Sequence, residues 1–110
     1  MSLTPLDLLP GTVDILILRT LAWKPMHGYR IARFVRDRSE GALVIESAAL
    51  YQALHRLQRK KWIRSAWGLS EHNRRAKIYE LTPEGRVQLR AQSRAMKSYV
   101  ASLSLMLAPF

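Results

Sequence analysis

Between residues 56 and 77, eight cationic side chains (Arg56, Arg59, Lys60, Lys61, Arg64, Arg74, Arg75 and Lys77) stand against a single carboxylate, Glu71, a net of +7. Fixed positive charge at this density is the chemistry of phosphate neutralisation, which gives affinity for a polyanion without reading its sequence. Just ahead of this run lie groups of another kind. Gln52 can pair bidentately with adenine, and Tyr51 and His55 can read a base edge or hold a phosphate. Tyr51 equally suits packing against a neighbouring hairpin, and His55 equally suits an ordinary exposed position. Arg74 and Arg75, beside Asn73, fit a narrow minor groove or a clamp on the backbone. Catalytic sets are missing from the sequence. His27, His55 and His72 are widely separated, no paired carboxylates or nucleophile–base set occurs, and there is no phosphate-binding loop. The reading is therefore a binding protein, not an enzyme, with no cofactor and no metal.

Composition agrees with that chemistry. The 110 residues carry 18 Lys and Arg against 8 Asp and Glu, a formal +10, which favours acidic partners, duplex nucleic acid before an anionic membrane. The length suits one domain able to bury a core unaided. The chain has no cysteine, which excludes disulfide frameworks, thiol catalysis and thiolate zinc sites. No apolar run approaches the roughly 18 residues of a membrane span, and the start, Met1-Ser2-Leu3-Thr4-Pro5, lacks the features of a secretory signal. A cytoplasmic location is expected.

The elements that must position these groups follow from periodicity. Pro10 and Gly11 precede a helix expected from near Thr12 to Trp23, with Val13, Leu16, Ile17 and Leu21 as its buried stripe. Trp23 packs at its end, and Lys24-Pro25 stops it. A second helix over residues 28–38 buries Ile31 and Val35 and leaves Arg30, Arg33 and Arg36 outside; Ser39-Glu40-Gly41 ends it. Leu43-Val44-Ile45 reads as a short extended segment. Ser47 then caps a third helix, in which Leu50, Leu54 and Leu57 are buried. Ala48, Tyr51, Gln52, His55 and Arg59 face the other way, and Ser47 is counted with this outward set.

Beyond Lys61 the period changes to two. Residues 62–67 and 77–81 read as the strands of a hairpin, with a long loop over 68–75. Trp62 and Trp67 point to opposite faces on this reading. Thr82-Pro83 caps and opens a last helix to about Leu107, roughly 37 Å long. Leu89, Met96, Val100, Leu103, Leu107 and Phe110 follow an alternating three–four spacing along it, with polar Ser93 the one gap and Tyr99 widening the stripe. So long and apolar a helix overhangs a small core, and a second subunit covers it; folding back over the first helix is the alternative. The fold class is thus mainly α with a β-hairpin: a winged helix-turn-helix over residues 1–81 and a C-terminal dimerisation helix over 82–110. In this architecture the third helix enters the major groove and the wing touches phosphate or minor groove.

The segments His27-Gly28-Tyr29-Arg30-Ile31-Ala32, Leu50-Tyr51-Gln52-Ala53-Leu54-His55-Arg56-Leu57, Trp62-Ile63-Arg64-Ser65 and Ile78-Tyr79-Glu80-Leu81-Thr82-Pro83-Glu84-Gly85 together resemble the PadR family of bacterial transcriptional regulators, over about residues 9–107. The similarity is to the smaller subclass, in which one helix makes the dimer. The resemblance implies a homodimer that binds a palindromic operator, usually as a repressor. It puts Tyr51 on the recognition helix, and His27 or Tyr29 against phosphate or locked into the helix-turn-helix packing. Certain members release DNA on binding phenolic acids or flat aromatic drugs, the latter between subunits. That implies a small aromatic effector here. Trp67 and the apolar side of the last helix suit a flat pocket at the dimer interface, the alternative being that Trp67 covers an edge of the small core. The chain departs from the family at three places. Ala48 and Ala49 replace a glycine and a hydroxyl residue, Gln52 stands where proline is common, and Lys61 stands where glycine often makes the turn into the wing. The same elements also suit a winged-helix module for protein contacts, or a co-regulator without its own operator. Preference for one palindromic site over random duplex separates these readings.

Overall fold

The computed structural model describes residues 8, 9 and 11–110; Pro10 and the Met1–Pro5 start lie outside the described residues. Four helices and three strands follow in the order α1 (Thr12–Trp23), β1 (Met26–His27), α2 (Gly28–Arg38), α3 (Ser47–Arg59), β2 (Ile63–Leu69), β3 (Arg75–Leu81) and α4 (Pro83–Leu107). The helix bounds expected from periodicity agree with these. The buried face of α1 is rotated from the expected one: Ile17, Leu18, Thr20 and Leu21 are inside, while Val13 and Leu16 are half-buried. Thr20 is tolerated there because its hydroxyl donates to the Leu16 carbonyl at 2.8 Å. Trp23 stacks on Phe34, ring centroids 5.0 Å apart.

The core is one cluster that joins Ile17, Leu18 and Leu21 to Ile31 and Val35 of α2, Leu50, Leu54 and Leu57 of α3, Ile63, Tyr79 and Leu81 of the sheet and Leu89 of α4. Three details differ from the sequence reading. The Leu43–Ile45 segment forms no strand. Ile45 drops into the core from a loop, and the added strand is instead Met26–His27, which pairs antiparallel with β3 through Met26 and Tyr79 to give the order β1-β3-β2. The hairpin strands run further than expected, from Ile63 opposite Leu81 to Leu69 opposite Arg75, with Trp62 outside β2. The wing tip is consequently only residues 70–74, closed by Ser70 N–H donating to the Arg74 carbonyl at 2.8 Å and Asn73 N–H donating to the Ser70 carbonyl at 2.9 Å. Lastly, Ser47 is the first helical residue of α3. Glu46 takes the cap position, and no side chain caps that end.

The start of α4 is fixed tightly. Thr82 Oγ1 accepts from Gly85 N–H at 3.0 Å, while Thr82 N–H donates to the Trp62 carbonyl at 3.0 Å. The helix then leaves the core. Leu89 is 8% exposed, Tyr99, Val100 and Leu103 are about half exposed, and Leu107 is 82% exposed. Leu89, expected at the dimer seam, therefore belongs to the chain's own core cluster, with α4 packed on α1. The overhang shows in a radius of gyration of 15.1 Å and a long axis of 55 Å, against about 13 Å for the radius of a compact chain of this length.

Candidate nucleic-acid interface

Strand parity divides the wing into two faces. Ile63, Ser65, Trp67 and Leu69 of β2 stand opposite Leu81, Tyr79, Lys77 and Arg75 of β3, so these eight share one face. At the root this face closes the core. Past Tyr79 it emerges as Trp67 with two cations over its indole, the Arg75 guanidinium at 4.7 Å and Lys77 Nζ at 5.7 Å from the ring centre. This exposed part faces the helix-turn-helix across a cleft of about 580 Å³ that gathers Tyr29, Tyr51, Trp67, His72, Arg74, Arg75 and Lys77. Residues expected to meet nucleic acid from three elements thus converge on one surface.

Tyr51 is half exposed, and its position explains Gly28. A Cβ on Gly28 would lie 3.1 Å from Tyr51 Cε1 and 3.2 Å from its hydroxyl oxygen, so the missing side chain lets the Tyr51 ring lie on the start of α2. Tyr51 therefore packs along one edge and is free along the other. Beneath it, burial first and the Tyr51 hydroxyl second raise the pKa of the Tyr79 phenol. A second, narrower cleft of about 160 Å³ lies on the other side of Tyr51, between Tyr29, Arg33, Arg36 and Ser47. Gln52, His55 and Arg59 are exposed along the outer face of α3, outside both clefts. Lys60 and Lys61 follow at its end. Lys60 Nζ lies 4.6 Å from the Trp62 ring centre, and Lys61 adopts a left-handed φ of 64°, the conformation that the glycine of related sequences would supply at less strain.

The structure gives several of these residues partners within the chain. His27 lines the larger cleft, and its ring is tied into the helix-turn-helix packing, one of the two roles expected for it. Its Nδ1 accepts from Arg30 N–H at 3.3 Å and caps α2, while Nε2 is buried without a partner among the described residues. Arg64 is one residue out of step with core Ile63, so it points from the opposite sheet face and pairs with Glu80. Within the subunit, Trp67 lines a cleft with the helix-turn-helix and the wing tip and with no α4 residue of its own chain. Arg56, counted among the eight cations, turns toward α1 and binds Asp14 through both its Nε, at 3.3 Å, and its Nη2, an interaction that raises its pKa further.

Sequence reasoning left Arg30, Arg33, Glu71 and His72 out of the interface. Glu71 reaches Arg30 at 3.6 Å and Arg33 at 4.0 Å, and His72 lies 3.7 Å from the same carboxylate. The available signal was the lone acid in a basic stretch, but its partners come from α2, about 40 residues earlier.

Comparison with known proteins agrees with this architecture. A PadR family transcription regulator from hypervirulent Clostridium difficile R20291 superposes with a TM-score of 0.77 and 31% identity, over 89% of this chain and all of that one. A transcriptional regulator from Clostridium thermocellum gives 0.80 and 28% identity, covering 89% and 95%. An uncharacterized protein of Lysinibacillus sphaericus is 30% identical over 83 residues, 76% of each chain. Residues 17–91 match the transcriptional regulator PadR-like family, whose members are transcription regulators and not enzymes. No helix among the described residues is long and apolar enough to cross a membrane. With four helices and a three-stranded sheet among the described residues and a family match over residues 17–91, the chain belongs to the PadR-like family of transcriptional regulators.

Proposed function

We propose that the protein is a cytoplasmic repressor that binds a palindromic operator as a homodimer. The recognition helix α3 enters the major groove with Tyr51, Gln52 and His55 toward base edges. Arg59, Lys60 and Lys61 hold the phosphates at its end, and Arg74, Arg75 and Lys77 take the adjacent minor groove or backbone. The observation that carries the reading is the single cleft that unites half-exposed Tyr51 of α3 with Arg74, Arg75 and Lys77 of the wing. The unit that recognises DNA is residues 1–81, and residues 82–110 supply the dimer.

Dimerisation is supported by the far half of α4. Residues 98–110 contain no charged side chain, and Tyr99, Val100, Leu103 and Leu107 are exposed on it. Beside them a cleft of about 550 Å³ between the start of α1 and α4 is lined by Leu9, Ile15, Met96 and Tyr99. The matching helix of a second copy, with its own Val100, Leu103 and Leu107, fits this lining and removes both apolar surfaces from water.

Protection mapping upstream of the protein's own gene tests the function. One palindromic site bound about a thousandfold better than random duplex is the expected result. Binding that varies with salt but not with sequence would leave a cationic adaptor instead. Leu103→Asp should convert the protein to a monomer in analytical ultracentrifugation, and a dimer that persists at micromolar concentration would move the interface off α4.

A further inference from the structure

The one acid at the wing tip is the anomalous group on this surface. Glu71 turns its carboxylate back to α2, with Oε2 3.6 Å from Nη1 of Arg30 and Oε1 4.0 Å from Nη1 of Arg33. Residues three apart on a helix share a face, so two guanidinium groups converge on one anion. The position is informative. Arg33 lines the narrow cleft with Tyr29, Ser47 and Tyr51, while His72, next to Glu71, lines the larger one with Tyr51, Arg74 and Arg75. The arginine pair thus lies between the two clefts, on the helix that in a helix-turn-helix crosses the phosphate backbone.

We propose that Arg30 and Arg33 form a backbone-phosphate site, and that in the free protein Glu71 fills it as an internal stand-in for the phosphate. This inference rests on the duplex-binding function proposed above. The three side chains are 37–45% exposed, and exposed ion pairs at these distances contribute little. A phosphate arriving with the duplex therefore displaces the carboxylate, and the wing tip that carries it moves off α2. Glu71 has two effects: it ties the free wing to the helix-turn-helix, and it holds down affinity for duplex of any sequence, because its charge is carried into the complex.

Glu71→Gln, Arg30→Gln/Arg33→Gln and the triple variant test this on a random 20-base-pair duplex across a salt series. Glu71→Gln should raise affinity at least about fivefold and steepen the slope of log K against log salt by about one unit, the equivalent of one more phosphate neutralised. The arginine double variant should bind more weakly with a flatter slope, and adding Glu71→Gln to it should change nothing beyond twofold. No gain from Glu71→Gln alone overturns the proposal. So does an equal gain in the arginine-free background, which would make Glu71 a general repulsive charge. Operator binding by the unsubstituted protein is measured alongside. If it shows no sequence preference while Glu71→Gln still gains on random duplex, the regulator reading falls and the phosphate site stands.

Discussion

Gly85→Ala should unfold the protein at distinctly lower denaturant, although alanine is the better helix former. A Cβ at this position would lie 2.0 Å from the Trp62 carbonyl oxygen and 2.7 Å from Leu81 Cδ1. The oxygen is backbone and cannot rotate aside. It also accepts from Thr82 N–H at 3.0 Å, and the Thr82 hydroxyl that caps Gly85 lies 3.0 Å from the same oxygen. Relief of the overlap therefore lifts the first turn of α4 from the start of β2 and loosens two backbone-anchored hydrogen bonds, about 1 kcal/mol each. The cap adds about 1 kcal/mol more, and the alanine propensity gain of about 1 kcal/mol offsets part of the loss. The net is about 2 kcal/mol, a large share of the 5–15 kcal/mol that roughly holds a domain of this size together. Urea unfolding followed by far-UV circular dichroism measures it, at one fixed protein concentration because association shifts apparent stability. An unchanged or higher midpoint, which propensity alone predicts, would refute the steric reasoning.

Tyr51→Ala and Gln52→Ala should each weaken operator binding more than random-duplex binding in anisotropy titrations; equal losses would remove them from base reading. Arg75→Ala should lower affinity on all duplexes and flatten the salt slope by about one unit, whereas Arg64→Ala, whose side chain is engaged by Glu80 on the opposite sheet face, should leave the slope unchanged. The raised pKa of Tyr79 makes alkaline stability depend on that phenol. The folded protein keeps the proton where the unfolded chain begins to lose it, near the ordinary value of 10.0, so the contribution is complete below that pH and is lost as pH rises above it. Urea midpoints measured from pH 9 upward should fall less steeply for Tyr79→Phe than for the unsubstituted protein.

Helices were the legible part of this fold because their signals are local. Gly11, Lys24-Pro25, Ser39-Glu40-Gly41 and Thr82-Pro83 act within a turn of the ends they define, and the observed bounds of α1, α2 and α4 follow them. Strand β1 was hidden because two residues have no period. Met26–His27 is a strand only because β3, some 50 residues later, offers it a free edge. Burial of Leu89 was similarly non-local. Its spacing matches Met96 and Leu103, and only the packing of α4 against the rest of the chain separates core from overhang. The same limit applied to His27, whose ring suited phosphate or helix-turn-helix packing alike in the sequence, and whose cap to Arg30 N–H appears only when α2 is built.

Charge is where sequence and structure differ most in meaning. A count assigns eight cations to one basic stretch, yet Arg56 is held by Asp14 from α1 and Arg64 by Glu80 from the neighbouring strand. The remaining six divide between the end of α3 (Arg59, Lys60 and Lys61) and the tip half of the wing (Arg74, Arg75 and Lys77). On the proposed duplex-binding function, phosphate contacts from these two clusters would fix the orientation of α3 between them. In exchange the fold adds two cations that the stretch did not contain, Arg30 and Arg33, and places the stretch's only acid on them. On the duplex-binding function proposed above, the number of phosphates neutralised is thus set by which arginines find carboxylates in three dimensions. For that reason the salt slopes of Arg75, Arg64 and Glu71 variants, more than the formal +10, measure how this surface meets a duplex.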